Sequence, residues 1–132
     1  LSLTGAKLSR ARFAVAPARG RPSGNEGASF SASLSERATV VLTIERELAG
    51  RRVRGRCVAG TPRGGRGRCV VHRTVGTIRR TAAAGRISVP LTGRFGSRSL
   101  QQGRHRLRVV ATADGRRAQS VLSFTVVPRS AR

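Results

Sequence analysis

Between residues 28 and 46 the apolar side chains fall at every second position. They are Ala28, Phe30, Ala32 and Leu34 and, after the polar Ser35-Glu36-Arg37, Ala38, Val40, Leu42 and Ile44. A period of two marks a strand with one buried face. The second run is also rich in β-branched residues, Thr39, Val40, Val41, Thr43 and Ile44, which lose rotamer freedom in a helix and pack well on a pleat. The pattern predicts two consecutive strands joined by a polar turn, with inward faces that share one core.

The rest of the chain repeats this pattern at shorter length. Residues 1–7 alternate weakly and lead into a first strand over 8–16, where Phe13 and Val15 point one way. Residues 17–27 carry two prolines and three glycines and are loop. The chain then leaves the central strand through Gly50 and Gly55 into a segment bounded by Cys57 and Cys69. Residues 70–80 form a further strand with a bulge at Gly76. Ile87, Val89 and Leu91 alternate around Pro90, which favours an edge or a strand end. Phe95 and Leu100, in a loop, are placed to plug the core. Residues 105–114 and 120–127 are the last two strands, with Asp114-Gly115 as a turn dipeptide between them. No helical window of useful length exists, since the patch 82–84 is too short to stand alone. About seven short strands separated by turn signals predict an all-β fold, an antiparallel β-sandwich in a single domain over residues 1–132 with a loose tail at 128–132. Phe30, Val40, Leu42, Ile44, Leu107, Val109, Leu122 and Phe124 are its expected core.

Composition changes the picture in three ways. The 27 basic residues outnumber the 5 acidic ones, for a net charge of +22, and Lys7 is the only lysine. Such a charge draws a protein to polyanions without bearing on its fold. The only aromatics are Phe13, Phe30, Phe95 and Phe124, so the core is mainly aliphatic. No apolar run approaches the roughly 20 residues of a membrane-spanning helix, so membrane insertion is not expected. A chain that opens on Leu1 reads as a mature product or a fragment.

Several segments together resemble an immunoglobulin-like, or fibronectin-III-like, domain that recurs in secreted and cell-surface proteins of actinobacteria. They are FSASLSERATV (30–40), the basic Gly-rich insert between Cys57 and Cys69, VGTIRR (75–80), LTGRF (91–95), LQQGRHRL (100–107) and ATADG (111–115). In such domains the L-x-x-G-x-Y-x-L segment forms a tyrosine corner whose hydroxyl bonds back to the main chain. His105 occupies the tyrosine position here. The resemblance implies an immunoglobulin-like sandwich, an extracellular or cell-surface setting and a structural or adhesive role. It brings no catalytic residues.

Candidate chemistry is sparse. Cys57 and Cys69 enclose eleven residues, VAGTPRGGRGR. Cys69 and His72 have Cys-x-x-His spacing, with His105 a possible further ligand, but a structural zinc site normally shows two close ligand pairs. A disulfide is favoured over a metal. It would stabilise by roughly 2–3 kcal/mol through loop closure and implies an oxidising compartment. Arg63-Gly64-Gly65-Arg66-Gly67-Arg68 has the look of an RGG segment, yet no aromatic platform lies between Phe30 and Phe95. Nonspecific attraction to phosphate or uronate polymers through Arg51, Arg52, Arg54, Arg56, Arg63, Arg66 and Arg68 is the expectation there. The acids Glu26, Glu36, Glu45, Glu47 and Asp114 form no catalytic pattern, and there is no G-x-S-x-G or GxxxxGK motif. No catalytic residue, metal ligand or cofactor is assigned.

Two functional readings follow. The first is a non-enzymatic structural module of a surface protein, with other surface proteins or further copies of itself as partners. In that reading Leu1 and Leu3, in an uncharged alternating segment, could add a strand to a neighbouring copy and grow a fibre. The favoured alternative for residues 1–4 is that they extend the chain's own first strand. The second reading is a polyanion-binding module for nucleic acid, wall polymer or acidic polysaccharide.

Overall fold

Strand β4, Ala38–Val53, is the longest element but one and pairs with three other strands. The structure is a computed structural model describing residues 1–95 and 97–129. Before β4 come β1 (Leu3–Leu8), β2 (Arg12–Phe13) and β3 (Ala28–Leu34). After it come β5 (Arg56–Ala59), β6 (Arg66–Ala82), β7 (Gly85–Leu91), the short β8 (Arg94–Phe95) and β9 (Arg98–Ser99), then β10 (Gly103–Ala113) and β11 (Arg116–Val126). The described residues contain no helix, and the protein is all-β. One large sheet is three-stranded in the order β1-β3-β7; the second is six-stranded, β2-β11-β10-β4-β5, with β6 on the far side of β4; β8 and β9 pair as a separate two-stranded ribbon. The pairings are antiparallel except β2 with β11, so the second sheet is mixed rather than purely antiparallel.

The alternating positions bury as the period of two requires. Phe30, Val40, Leu42, Ile44, Leu107 and Val109 are at most 1 % exposed, and Phe124 is 3 % exposed. Leu122 is only half-buried at the margin of this cluster. Phe13 stacks on Phe124 with ring centroids 5.2 Å apart, so two of the few aromatics pack on each other. The cluster draws on both sheets: β3 and β7 supply one wall, β4 and β10 the other. Consecutive strands β3 and β4 thus share a core across two sheets.

Three expectations are corrected. The first strand is β1, over residues 3–8, so the expected strand over 8–16 holds only the last residue of β1 and the two residues of β2. Phe13, Ala14 and Ala16 are all buried. That run is not alternating, because the segment crosses between the sheets: Ala14 N donates to Asn25 O, and Ala16 N to Thr92 O. The central strand does not leave the sheet at Gly50 but runs on to Val53. The bulge lies at Val75, one residue before Gly76, since Ile44 pairs with Gly76 and Glu45 with Thr74. Gly76 serves another purpose. A Cβ there would sit 2.7 Å from the Phe95 ring, so the glycine is the seat on which Phe95 rests.

Residues 1–4 extend the chain's own first strand: Leu3 pairs with Leu34, and Leu1 and Leu3 pack against the core cluster. Ser2 N donates to Ser35 Oγ, tying the segment to the polar turn. Pro90 lies on β7, an outer strand of its sheet, where a missing N–H is tolerated. Asp114-Gly115 is a two-residue hairpin turn, and both residues have positive φ, as a type I′ turn needs. Of the tail expected at 128–132, residues 130–132 lie outside the described residues. Arg129 turns back so that its Nε sits 2.8 Å from Glu26 Oε2.

Candidate functional site

From Thr39 to Arg46, β4 is flanked by β10 on one side and β6 on the other. Beyond Arg46 its register with β10 ends. Residues 50–53 pair instead with β5, while β6 continues alongside to Arg52. The result is a three-stranded arm, about 20 Å of strand beyond the last β10 pair at the usual rise per residue. The Arg54-Gly55 turn at its tip has positive φ at both residues.

The disulfide closes this arm. Cys57 lies on β5 and Cys69 on β6, with Cα atoms 5.9 Å apart. In a flat sheet two strands flanking a third are about 9.5 Å apart, so β5 and β6 must curl toward each other over β4. The residue beneath the bridge is Gly50. A Cβ on it would lie 2.4 Å from Val58 O and 3.1 Å from Cys57 Sγ. Glycine is therefore required by close approach at Gly50, not by a chain break. Cys69 commits its sulfur to this bond, and His72 stands exposed opposite Glu47. Among the described residues no three His, Cys, Asp or Glu side chains gather as a metal site. A disulfide fits an oxidising, non-cytoplasmic setting. No helix among the described residues is long and apolar enough to cross a membrane.

All seven arginines singled out in the sequence belong to the arm. Register separates them by face. Arg51 and Arg68 are opposite one another on the outer face, Arg52 and Arg66 on the inner face, and Arg54 is at the tip. Arg56 pairs with Val53, and Arg63 is in the loop before β6. All but the half-buried Arg51 are exposed. None makes an ion pair among the described residues. The chain has no acid between Glu47 and Asp114. The arm is therefore a rod of uncompensated guanidinium groups rather than a flat patch.

Outside the arm, Arg106, Arg108, Arg116 and Arg129 are the arginines that meet acids among the described residues. Arg106 Nε donates to Glu45 Oε1 at 2.6 Å on the outer face of the six-stranded sheet, and Arg108 approaches the same oxygen at 3.6 Å. The Arg106 hydrogen bond, aided by the charges of Arg106, Arg108 and His72 and opposed by burial, holds the Glu45 carboxyl below the usual carboxylate range. Arg116 pairs with Glu36 at the polar turn. Glu26 is buried; its Oε1 accepts from Ser23 N at 2.9 Å.

A second cationic feature was not visible in the sequence. On the inner face, at the base of the arm, His105, Arg46 and Arg73 are in register across β10, β4 and β6. The loop carrying Phe95, Arg98 and Gln101 faces them, and together these residues line a hollow of about 350 Å³. Arg46 Nη1 donates to Gln101 Oε1. His105 is 1 % exposed and stacks on Phe124, centroids 5.3 Å apart. Its Nδ1 lies 3.0 Å from Gly103 O. The imidazole thus bonds back to the main chain from the position where the resemblance expected a tyrosine hydroxyl. Burial, reinforced by the charge of Arg46 and opposed by the Gly103 hydrogen bond, pushes its pKa down. The neutral ring then donates from Nδ1, which leaves Nε2 a bare acceptor. That atom is buried and has no hydrogen-bond partner among the described residues.

Comparison of the chain with protein-family models, with curated proteins and with solved structures finds no match.

Proposed function

We propose that this chain is a non-enzymatic, extracellular adhesive module that grips anionic polymers with its arm. In this reading its two sheets are the layers of an immunoglobulin-like sandwich, which serves as a rigid base. The observation that carries it is the arm itself: seven arginines, a disulfide that holds the strands carrying them, and no carboxylate among them. Guanidinium groups without an internal partner attract phosphates, carboxylates and sulfates alike, by charge rather than by sequence. Holding them on a cross-linked ribbon lowers the ordering cost of binding. The segment has no aromatic residue between Phe30 and Phe95, so base stacking contributes nothing and selectivity among nucleic-acid sequences is not expected.

The test is a salt series of binding to polygalacturonate and to duplex DNA. Affinity should fall linearly in log–log form. For DNA the slope should shrink by roughly 0.9 for each phosphate that is no longer neutralised, so the combined R63Q, R66Q and R68Q variant should lower it by up to about 3. Binding that ignores salt, or a variant with the wild-type slope, would remove the reading.

A further inference from the structure

The edge of a sheet presents unpaired main-chain N–H and C=O groups, and folds protect it with proline, bulges, short strands or cover. Most outer strands here are protected. β2 and β5 are short, β7 carries Pro90, β1 bulges between Thr4 and Lys7, and β11 has β2 and β1 beside it. β6 pairs with β4 alone and holds no proline, and its two bulges leave residues 68–74 in unbroken register with β4. The direction of its free groups follows from one bond. Ala49 O accepts from Gly60 N, on the β5 side of β4. Main-chain groups alternate sides along a strand, so Gly50 turns toward its partner Cys69 on β6. Arg68, Val70 and His72 therefore turn N–H and C=O away from β4, where no main-chain partner meets them among the described residues. All three residues are exposed.

Charge says which chain such an edge accepts. β6 bears Arg66, Arg68, Arg73, Arg79 and Arg80 and no acid. Arg68 and Arg73 make no ion pair among the described residues. The acids opposite this stretch, Glu45 and Glu47, stand on β4, across β6 from any added strand. A second copy of the edge would set arginine against arginine, which opposed strands avoid, and would bring together two charges of +22. Polysaccharides and nucleic acids carry negative charge but no regular ladder of N–H and C=O groups. An acidic polypeptide brings both. We propose that β6 takes up an extended acidic segment of a partner protein as an added strand along residues 68–74, antiparallel because that pairing is the more stable per residue. The register sets the occupant's pattern, since directly opposed side chains share a face: acids opposite Arg73 and Arg68, apolar residues opposite Val71 and Val70. This adds a protein partner to the proposed function and does not depend on polymer binding.

The experiment is calorimetric titration of the intact, oxidised protein with the acetylated and amidated heptapeptide TETVVTE, whose residues fall opposite Thr74 to Arg68 in that order. Replacing both of its glutamates by lysine should weaken binding about tenfold or more, since two favourable opposed pairs become repulsive. In this register the peptide's third and fifth residues turn their N–H groups to His72 and Val70, while its second and fourth turn theirs to solvent. N-methylation at the third and fifth should weaken binding about tenfold or more, and N-methylation at the second and fourth should leave it unchanged. Val70→Pro removes one outward N–H and spares the ladder to β4, so it should weaken the peptide about fivefold. If that variant does not fold, the two methylated peptides decide. Amide hydrogen exchange at Val70 and His72 should slow when the peptide is added. Equal binding of the lysine peptide, equal binding of the two methylated peptides, or unprotected amides at Val70 and His72 would each overturn the added strand. If the heptapeptide fails while polymer binding keeps its salt slope, the strand is wrong and the arm's grip stands; if polymer binding fails while the heptapeptide is held, only the grip is wrong.

Discussion

From Ala38 to Ile44, β4 turns every second side chain into a core shared by two sheets, and those residues are at most 4 % exposed. From Glu47 to Val53 the same strand, with the same period, has almost nothing to bury: only Gly50 is fully covered, by the Val58 main chain and the Cys57 sulfur of the disulfide. The body therefore coheres by apolar burial. The arm coheres by main-chain ladders and one covalent bond, the arrangement used where a segment cannot build a core. Strand pattern alone therefore does not say what a strand packs against. The same contrast places the acids: Glu26, Glu36 and Glu45 of the body sit beside arginines, while the arm's seven arginines make no ion pair among the described residues.

Breaking the body should cost most. Phe30→Ala and Phe124→Ala each empty a buried site in a core with few aromatics, and Phe124→Ala also removes the stacks with Phe13 and His105. Each should destabilise by about 3–5 kcal/mol, lowering the melting temperature and the denaturant midpoint together. An unchanged midpoint in both would show that the core lies elsewhere.

Breaking the arm should cost less and stay local. Replacing Cys57 and Cys69 together by serine removes a loop closure worth roughly 3 kcal/mol. Hydrogen exchange should accelerate at residues 50–70, while the amides of β3, β7 and β10 keep their protection. If the whole protein loosens equally, arm and body form one cooperative unit and the contrast between them fails.

The smallest effect separates two titrations within the body. His105 has its pKa lowered from 6.5 by burial, so the folded state favours the neutral ring. That stability is present above about pH 6.5 and is lost as pH falls through the region below it. Glu45 has its pKa lowered from 4.5 by the Arg106 bond, so its contribution is present above about pH 4.5 and is lost only as pH falls through its lower folded value. Melting temperatures across a pH series should thus decline in two stages. His105→Phe should remove the first stage and leave the second, whereas Glu45→Gln should do the reverse.

The period of two made most of the strands and nearly all the core legible from residues alone, because burial of one sheet face is written locally in alternation. Asp114-Gly115 was legible for the same reason, since a turn with two positive φ values is chosen by its own residues. The two cysteines and the even count pointed to their bond without reference to the fold. What no local pattern contained was register. Gly50 read as a break and Gly76 as a bulge, because the neighbours that demand glycine there, the disulfide crossing and the Phe95 ring, come from residues distant in sequence. Residues 8–16 misled because a segment that crosses between sheets buries adjacent side chains instead of alternate ones. Arg46, Arg73, Arg98 and His105 are scattered along the chain, and only the pairing of β10, β4 and β6 sets the first two beside the imidazole. The sequence determined which faces are apolar and where the charge is carried. The tertiary structure decided which charges stand together, because strand pairing joins residues by hydrogen-bond register and not by their separation along the chain.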